Sequence, residues 1–363
     1  MSNNLNNIVS VNIDLTSPAI DSASFDNLLI VGLPPVTPKG TLPDIGAYSD
    51  LDEVESAGYI STGTNADPVG IAARIAFSQN PRPSLLYIAA QQEDGVNMLE
   101  SPVDTLRRAN KTPGWYMICP AGIDESMYEE IAEWTETQNK QFGYTYLADT
   151  DPVSEIYYRS HGWCGLVHDE DLPGDVPVAN AYLHCGIVAK GLSYPSGSET
   201  WAFKKLASVH PSKISSTLIK SIVDGHSNYF AQYAGRNISM NGQVRAGEWI
   251  DVIRGRDWLQ NDMQIRIFNL LLMNPKVPYT NSGIGSVQNE MIASLKTAQK
   301  RGIVAEDEFD EEENLVPGFT TSVPNSMSLT ATQKASRILS NCKFSARLAG
   351  AIHVIRVDGA LTY

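Results

Sequence analysis

The stretch from Gly114 to Leu147 constrains this chain more than any other. Trp115-Tyr116-Met117-Ile118-Cys119 is a short run of apolar and aromatic residues, the pattern of a buried strand. Asp124 or Ser126 then offers an N-cap, and Tyr128, Ile131 and Trp134 share one helical face. Gly143 reads as the helix stop, and Tyr144-Thr145-Tyr146-Leu147 as a second strand. Strand, helix, strand at this spacing is a βαβ unit. Its strands run parallel, its crossover is right-handed, and its sheet must be covered by helices. The expected fold class is therefore α/β, with some α+β mixture.

The flanking sequence agrees. Asn27-Leu28-Leu29-Ile30-Val31-Gly32, closed by Pro34-Pro35, is a second buried strand, and Leu85-Leu86-Tyr87-Ile88 a third. Helices are expected after Asp50 and after Asp67-Pro68, where Pro takes the first helical position. Between about 155 and 210 the periodicity weakens into short strands and loops. A helix is expected after Ser212 or Ser215, stopped by Gly225, and a hairpin around Asn241-Gly242. Two strong helices follow, from Trp258 to Met273 and from Thr280 or Ser282 to Gly302. The second carries Ile284, Val287, Met291, Leu295 and Ala298 on one stripe.

Both ends also read as strands. Val9, Val11, Ile13 and Leu15 alternate with polar residues, and Ile352-His353-Val354-Ile355-Arg356-Val357 is nearly continuous in β-branched residues after a small Ala349-Gly350-Ala351 hinge. Chain ends usually fray. Strand-like ends must pair with something, either their own sheet or a neighbour's.

Composition narrows the function. With 27 basic and 41 acidic residues the net charge is −14, which speaks against a general nucleic-acid binder. Seven acids fall within Glu306–Glu313, a segment read as a solvated loop. No run reaches the roughly 18–20 apolar residues of a membrane span. Met1-Ser2-Asn3-Asn4 has neither a basic nor an apolar signal region, and the four cysteines form no CxxC pair, so folding in a reducing cytosol is expected.

Candidate chemistry is weak. His161, Cys164, His168, His184 and Cys185 fall within 25 residues, but their spacing fits no common zinc pattern, and His184-Cys185 reads as a strand pair with side chains on opposite faces. There is no G-x-S-x-G elbow and no GxxxxGK[ST] loop. Gly283-Ile284-Gly285 lacks the third glycine of a dinucleotide fingerprint. No catalytic, cofactor or metal residue is assigned. Lys296, Lys300 and Arg301 gather basic charge near the end of the last long helix. They read either as solvated cations offsetting the helix dipole or as a face for an acidic protein.

Several of these segments, in order, resemble contractile tail sheath proteins of myophages and related phage-tail-like particles. They are Ile8-Val9-Ser10-Val11-Asn12-Ile13 through Leu29-Ile30-Val31-Gly32, then Phe77-Ser78-Gln79-Asn80-Pro81-Arg82-Pro83. Gly247-Glu248-Trp249-Ile250-Asp251 with Asp257-Trp258-Leu259 follows, then Pro278-Tyr279-Thr280-Asn281-Ser282-Gly283-Ile284. The ending Phe344-Ser345-Ala346-Arg347-Leu348-Ala349-Gly350-Ala351-Ile352-His353 is the most telling.

The resemblance implies a two-domain subunit with strand-forming arms. Residues 1–20 would be an N-terminal arm, 21–245 an outer α/β domain, 246–345 an inner tube-facing domain, and 346–363 a C-terminal arm. It implies a homo-oligomer of stacked six-fold rings in a virion tail, assembled in the host cytoplasm. Its partners would be the tail tube, baseplate and tail terminator, with no nucleic acid, membrane insertion or cofactor. Contraction would drive the tube through the target cell envelope. Val9, Val11, Ile13, Leu15, Ile352, Val354, Ile355 and Val357 would pair between subunits, and Lys296, Lys300 and Arg301 would face the tube. The competing expectation is a cytosolic α/β enzyme or ligand-binding protein whose terminal strands complete its own sheet.

Overall fold

A computed structural model describes residues 24–93, 98–167, 178–357 and 359. The expected N-terminal strand (Val9, Val11, Ile13, Leu15) and His168 lie outside the described residues.

The first part of the chain alternates strands and helices: β1 (Leu28–Gly32), β2 (Gly46–Tyr48), α1 (Leu51–Ser56), α2 (Pro68–Phe77), β3 (Leu86–Ala90) and α3 (Pro102–Ala109). It continues with β4 (Met117–Ala121), α4 (Tyr128–Glu136), β5 (Gln141–Tyr146), β6 (Ser160–Cys164), α5 (Leu183–Leu192), α6 (Ser216–Asp224), β7 (Asn228–Tyr233) and β8 (Arg236–Met240). All eight strands join one sheet in the order β2-β3-β1-β4-β5-β6-β7-β8. Its six central strands are parallel, while β2 and β8 close the edges antiparallel.

Side-chain alternation divides the core between the two faces of this sheet. Leu28 and Ile30 of β1, with Met117 and Cys119 of β4, point to the layer containing α2 and α5. Leu29, Val31 and Ile118 point to the opposite layer, which holds α3, α4 and α6. Helices on both faces explain why the central strands read as unbroken apolar runs. Local signals set the helix starts as expected: Asp50, Asp67 and Ser215 each accept a hydrogen bond from the backbone of the first turn of α1, α2 and α6.

The βαβ unit is present as β4-α4-β5, with one change. The helix ends at Glu136, and Gly143 sits inside β5. Its small size serves packing: a Cβ there would lie 2.5 Å from the His161 ring. The weak stretch from 155 to 210 contains α5, so His184 and Cys185 lie on a helix and not a strand. Every residue of α5 is buried. A helix buried all round shows no apolar–polar period, which is why the sequence pattern missed it. The β7–β8 hairpin turns at Ala234-Gly235, both at positive φ. Asn241-Gly242 also take positive φ, but they bend the chain out of β8.

The remainder is a helical hairpin carrying small sheets: α7 (Ile250–Met273), α8 (Asn281–Arg301), β9 (Glu308–Phe309), β10 (Leu315–Val316), β11 (Phe319–Ser322), α9 (Ala331–Ala335) and β12 (Lys343–Ala346). α7 begins at Ile250, ahead of the expected Trp258, because its N-cap Trp249 makes no side-chain cap bond that the sequence could advertise. α8 follows its signals: Thr280 caps it, and Gly302 ends it in the left-handed conformation (φ 81°). The predicted stripe Ile284, Val287, Met291, Leu295 and Ala298 is buried throughout, and all but Ile284 share a core cluster with Leu259 and Met263 of α7. The acidic run forms the exposed β9–β10 hairpin.

Candidate assembly surface

Three features of the C-terminal part leave valences open. β11 and β12 pair antiparallel, Phe319 opposite Ala346 and Thr321 opposite Phe344, and form a sheet of two strands. Phe319, Phe344 and Ala346 turn inward onto the α7–α8 core, and Gln288 of α8 donates to the Thr321 hydroxyl at 3.0 Å. One face is thus fixed. Along that ladder, each strand pairs on one side only among the described residues. Open edges of this kind are templates for a further strand.

The chain then makes its last internal backbone bonds. Arg347 N–H donates to Gly318 O (2.8 Å), Ala305 N–H to Arg347 O (2.8 Å), and Ala349 N–H to Ile303 O (3.1 Å). Residues 346–349 therefore belong to their own subunit, and Gly350 begins the segment without backbone bonds among the described residues. Among the described residues, 350–357 form no strand and no backbone–backbone hydrogen bond. Ile352, Val354, Ile355 and Val357 are 78%, 74%, 78% and 87% exposed. Four large apolar side chains in six residues is the exposure expected of a surface meant to be covered.

The basic trio divides. Lys296 and Lys300 project into solvent from α8. Arg301 is half-buried, with its guanidinium 4.3 Å from the centre of the Trp258 ring on α7. Its charge is engaged in holding the hairpin together. Asp262 adds to that hold, accepting from Arg266 on its own helix and from Ser294 of α8, each at 2.7 Å.

What couples this surface to the large sheet is the first half of α7, through charges with no exposure to solvent. Arg254 donates to Glu199 (2.6 Å), to Phe25 O (2.9 Å), to Asp26 (3.0 Å) and to Tyr194 O (2.9 Å). One guanidinium thus binds the lead-in to β1 and the loop after α5. Three residues on, Asp257 accepts from Arg159 (2.7 Å), from Arg256 (2.9 Å) and from the Tyr116 hydroxyl (2.8 Å). Burial pushes the Asp257 carboxyl up, but the two guanidiniums outweigh it and hold it below the usual carboxylate range. Ile250 and Ile253, on the same helical side, enter the core beneath the sheet. The signal for these residues was available in part: Arg254 and Asp257 interrupt an apolar face at i, i+3. Their partners Glu199 and Arg159 are too distant in sequence to infer.

The His and Cys residues come together differently from any zinc pattern. Cys119, His184 and Cys185 place their ligand atoms within 4.8 Å of one another, all buried. Both ring nitrogens of His184 are already used: Nε2 donates to Pro120 O (3.0 Å) and Nδ1 accepts from the Thr145 hydroxyl (2.8 Å). A metal here would have to displace the Thr145 bond. His161 lies elsewhere in the core and accepts from the Trp163 indole N–H at 2.9 Å. Burial pushes its value down to about 3, so it stays neutral.

Comparison with known proteins matches this geometry. A scan of family models matches residues 250–361 to the E217 tail sheath protein gp31-like C-terminal domain. That segment runs from the first residue of α7 through the free C-terminal segment. The last third of the chain is thus similar to the C-terminal domain of a tail sheath protein. Three cryo-EM structures align along nearly the whole chain. A chain of the anti-feeding prophage baseplate is 16% identical with a TM-score of 0.68, covering 98% of each chain. The anti-feeding prophage helical sheath in its contracted state gives 12% and 0.67, covering 97% of this chain and 98% of that one. The contracted sheath complex of the extracellular contractile injection system PVC gives 12% and 0.63, covering 97% of both. The sheath fold therefore covers the large sheet as well as the C-terminal part. A comparison with curated protein sequences finds no match.

In this sheath fold the buried charges of α7 should carry stability that surface pairs do not. Asp257→Asn leaves Arg159 buried beside a neutral partner and should cost about 3–5 kcal/mol in urea unfolding. Lys220→Ala, which removes an exposed pair with Asp224 (2.5 Å, 76% and 62% exposed), should leave it nearly unchanged. Equal effects would show that the α7 charges do not fasten the two parts.

Proposed function

We propose that this protein is the subunit of a contractile tail sheath, which polymerises around an inner tube and contracts to drive that tube through a target cell envelope. The observation that carries the reading is the exposed apolar segment 350–357 leaving an open-edged two-stranded sheet, within a sheath fold that spans the chain. A segment of one copy can add to the edge of β11 or β12 in another. Backbone hydrogen bonds would give affinity, and Ile352, Val354, Ile355 and Val357 would set register. Such a donor–acceptor contact is head-to-tail and does not close on itself, so it builds rings or helices. Val9, Val11, Ile13 and Leu15 are proposed as the second arm.

In this account residues 21–245 form the outer domain and 246–345 the inner, tube-facing one. Lys296 and Lys300 on the free side of α8 are the contact for an acidic tube surface. Six-fold stacking, the tube, the baseplate and terminator proteins, and assembly in the host cytoplasm belong to the same reading. The rival expectation, an enzyme or binding protein whose terminal strands finish its own sheet, is not supported. Residues 350–357 complete no sheet of their own subunit, and β8 ends the large sheet with Phe203 N–H and Ser239 N–H bonded across its outer side.

Negative-stain microscopy of the expressed full chain tests the proposal. Hollow tubes or cogwheel rings are expected, and uniform small particles at high concentration would contradict it. The tube contact is tested separately by Lys296→Glu with Lys300→Glu. The double variant should keep the subunit's melting temperature within about 2 °C, since exposed charges contribute little to stability, yet lose co-assembly with tail tube. Unchanged co-assembly would remove α8 from the tube interface.

A further inference from the structure

The C-terminal segment is not free along its whole length. After Ala349 the chain leaves the inner sheet, crosses at Gly350 (φ 65°) and Ala351, and reaches the large domain. There one residue turns inward while its neighbours stay out. His353 is half-buried between Ile352 and Val354, which are 78% and 74% exposed. Its Nε2 lies 2.8 Å from the Thr200 hydroxyl. Its ring stands edge-on to Trp249, with centroids 4.6 Å apart at 84°, and to Phe203 at 5.6 Å and 84°. Edge-to-face contacts of this geometry are attractive beyond the area they bury.

The walls of this slot are themselves fixed. Trp249 is the N-cap of α7, whose first half is fastened by Arg254 and Asp257. Phe203 N–H donates to Ser239 O of β8 at 2.7 Å, and Thr200 follows Glu199, the buried partner of Arg254. Beside the start of the strap, Leu348 and Gly350 line a small cavity of about 40 Å³ together with Glu199 and Asp251.

We propose that His353 is the pin of the C-terminal arm. Seated between Trp249 and Phe203 and bonded to Thr200, it ties the root of the arm to its own large domain, so the moving joint begins at Val354 and not at the small-residue hinge Ala349-Gly350-Ala351. Residues 350–353 then act as a strap between inner sheet and large domain. Residues from 354 onward are the part that a second copy captures, which removes Ile352 from the arm proposed above, and the pin sets the direction in which Val354, Ile355 and Val357 leave. His353 is a positioning residue: it need not touch the second copy itself.

This inference rests on the reading of 350–357 as an inter-subunit arm, but its test uses the isolated full-length subunit. Paired spin labels are placed at exposed Ser198 and at Ile352, and in a second sample at Ser198 and Val357, with Cys342→Ser to remove the half-buried thiol. The 198–352 distance distribution should be narrow and the 198–357 distribution broad. His353→Ala should widen the 198–352 distribution several-fold, while His353→Phe, which keeps an aromatic ring in the slot, should restore much of the narrowness. Circular dichroism melts of both variants report whether the fold is intact. A broad 198–352 distribution in the unsubstituted chain, or one as narrow in the Ala variant, overturns the pin. If the labels behave as stated but no polymer forms, the sheath reading fails and the pin stands. If polymers form around a broad strap, the reverse holds.

Discussion

Everything the C-terminal surface can do depends on how α7 is fastened. A long helix with one half in each part of the molecule would be a hinge if its contacts were only apolar, because greasy faces tolerate sliding. Here the sheet-side half carries Arg254 and Asp257, both unexposed, each bonded to several partners at fixed geometry. A buried ion pair adds little over a well-packed apolar pair, but displacing one partner leaves an uncompensated buried charge. The consequence is mechanical: separating the helical hairpin from the large sheet would cost several kcal/mol before anything else moved. The helical hairpin and the large sheet are thereby fastened to each other.

That fastening gives the open valences their meaning. The edges of the large sheet are managed: β2 is only three residues long, and β8 has Phe203 and Lys204 bonded along it. The two-stranded sheet of β11 and β12 is fixed on one face by α8 and open along its edges. Apolar residues of the terminal segment stand exposed nearby. On the proposed sheath reading, the terminal segment would be a donor and the two-stranded sheet an acceptor in a lattice whose bodies must turn relative to one another while their links persist. Strand addition permits this, because its strength lies in backbone bonds at the joint and not in the orientation of the bodies it joins. Two arrangements of such a lattice need differ by only a few kcal/mol per subunit for the change to be decisive over a long tail.

Much of this was legible in the sequence where local chemistry alone decides. β1, β4 and the caps Asp50, Asp67 and Thr280 follow from residues within a few positions of each other, and the stripe on α8 from simple periodicity. What escaped shares one physical cause: distant partners. α5 shows no period because neighbours bury it on every side. Gly143 mimics a helix stop but is there to admit the His161 ring. Arg254, Asp257 and His353 draw their roles from Glu199, Arg159 and Thr200, which no spacing rule connects to them. The basic trio reads as a unit, yet Arg301 lies over the Trp258 ring. The C-terminal segment reads as a strand, but among the described residues 350–357 form none within the subunit.

The most direct test of the account is a helical cryo-EM reconstruction of polymers formed by the full chain, refined far enough to trace the terminal segment. The account predicts that residues 354–357 of one subunit lie as a strand on the edge of β11 or β12 of another, with the Arg254–Glu199 and Arg159–Asp257 pairs unbroken in each. A polymer in which 354–357 pair with their own subunit, or touch no other copy, would contradict it.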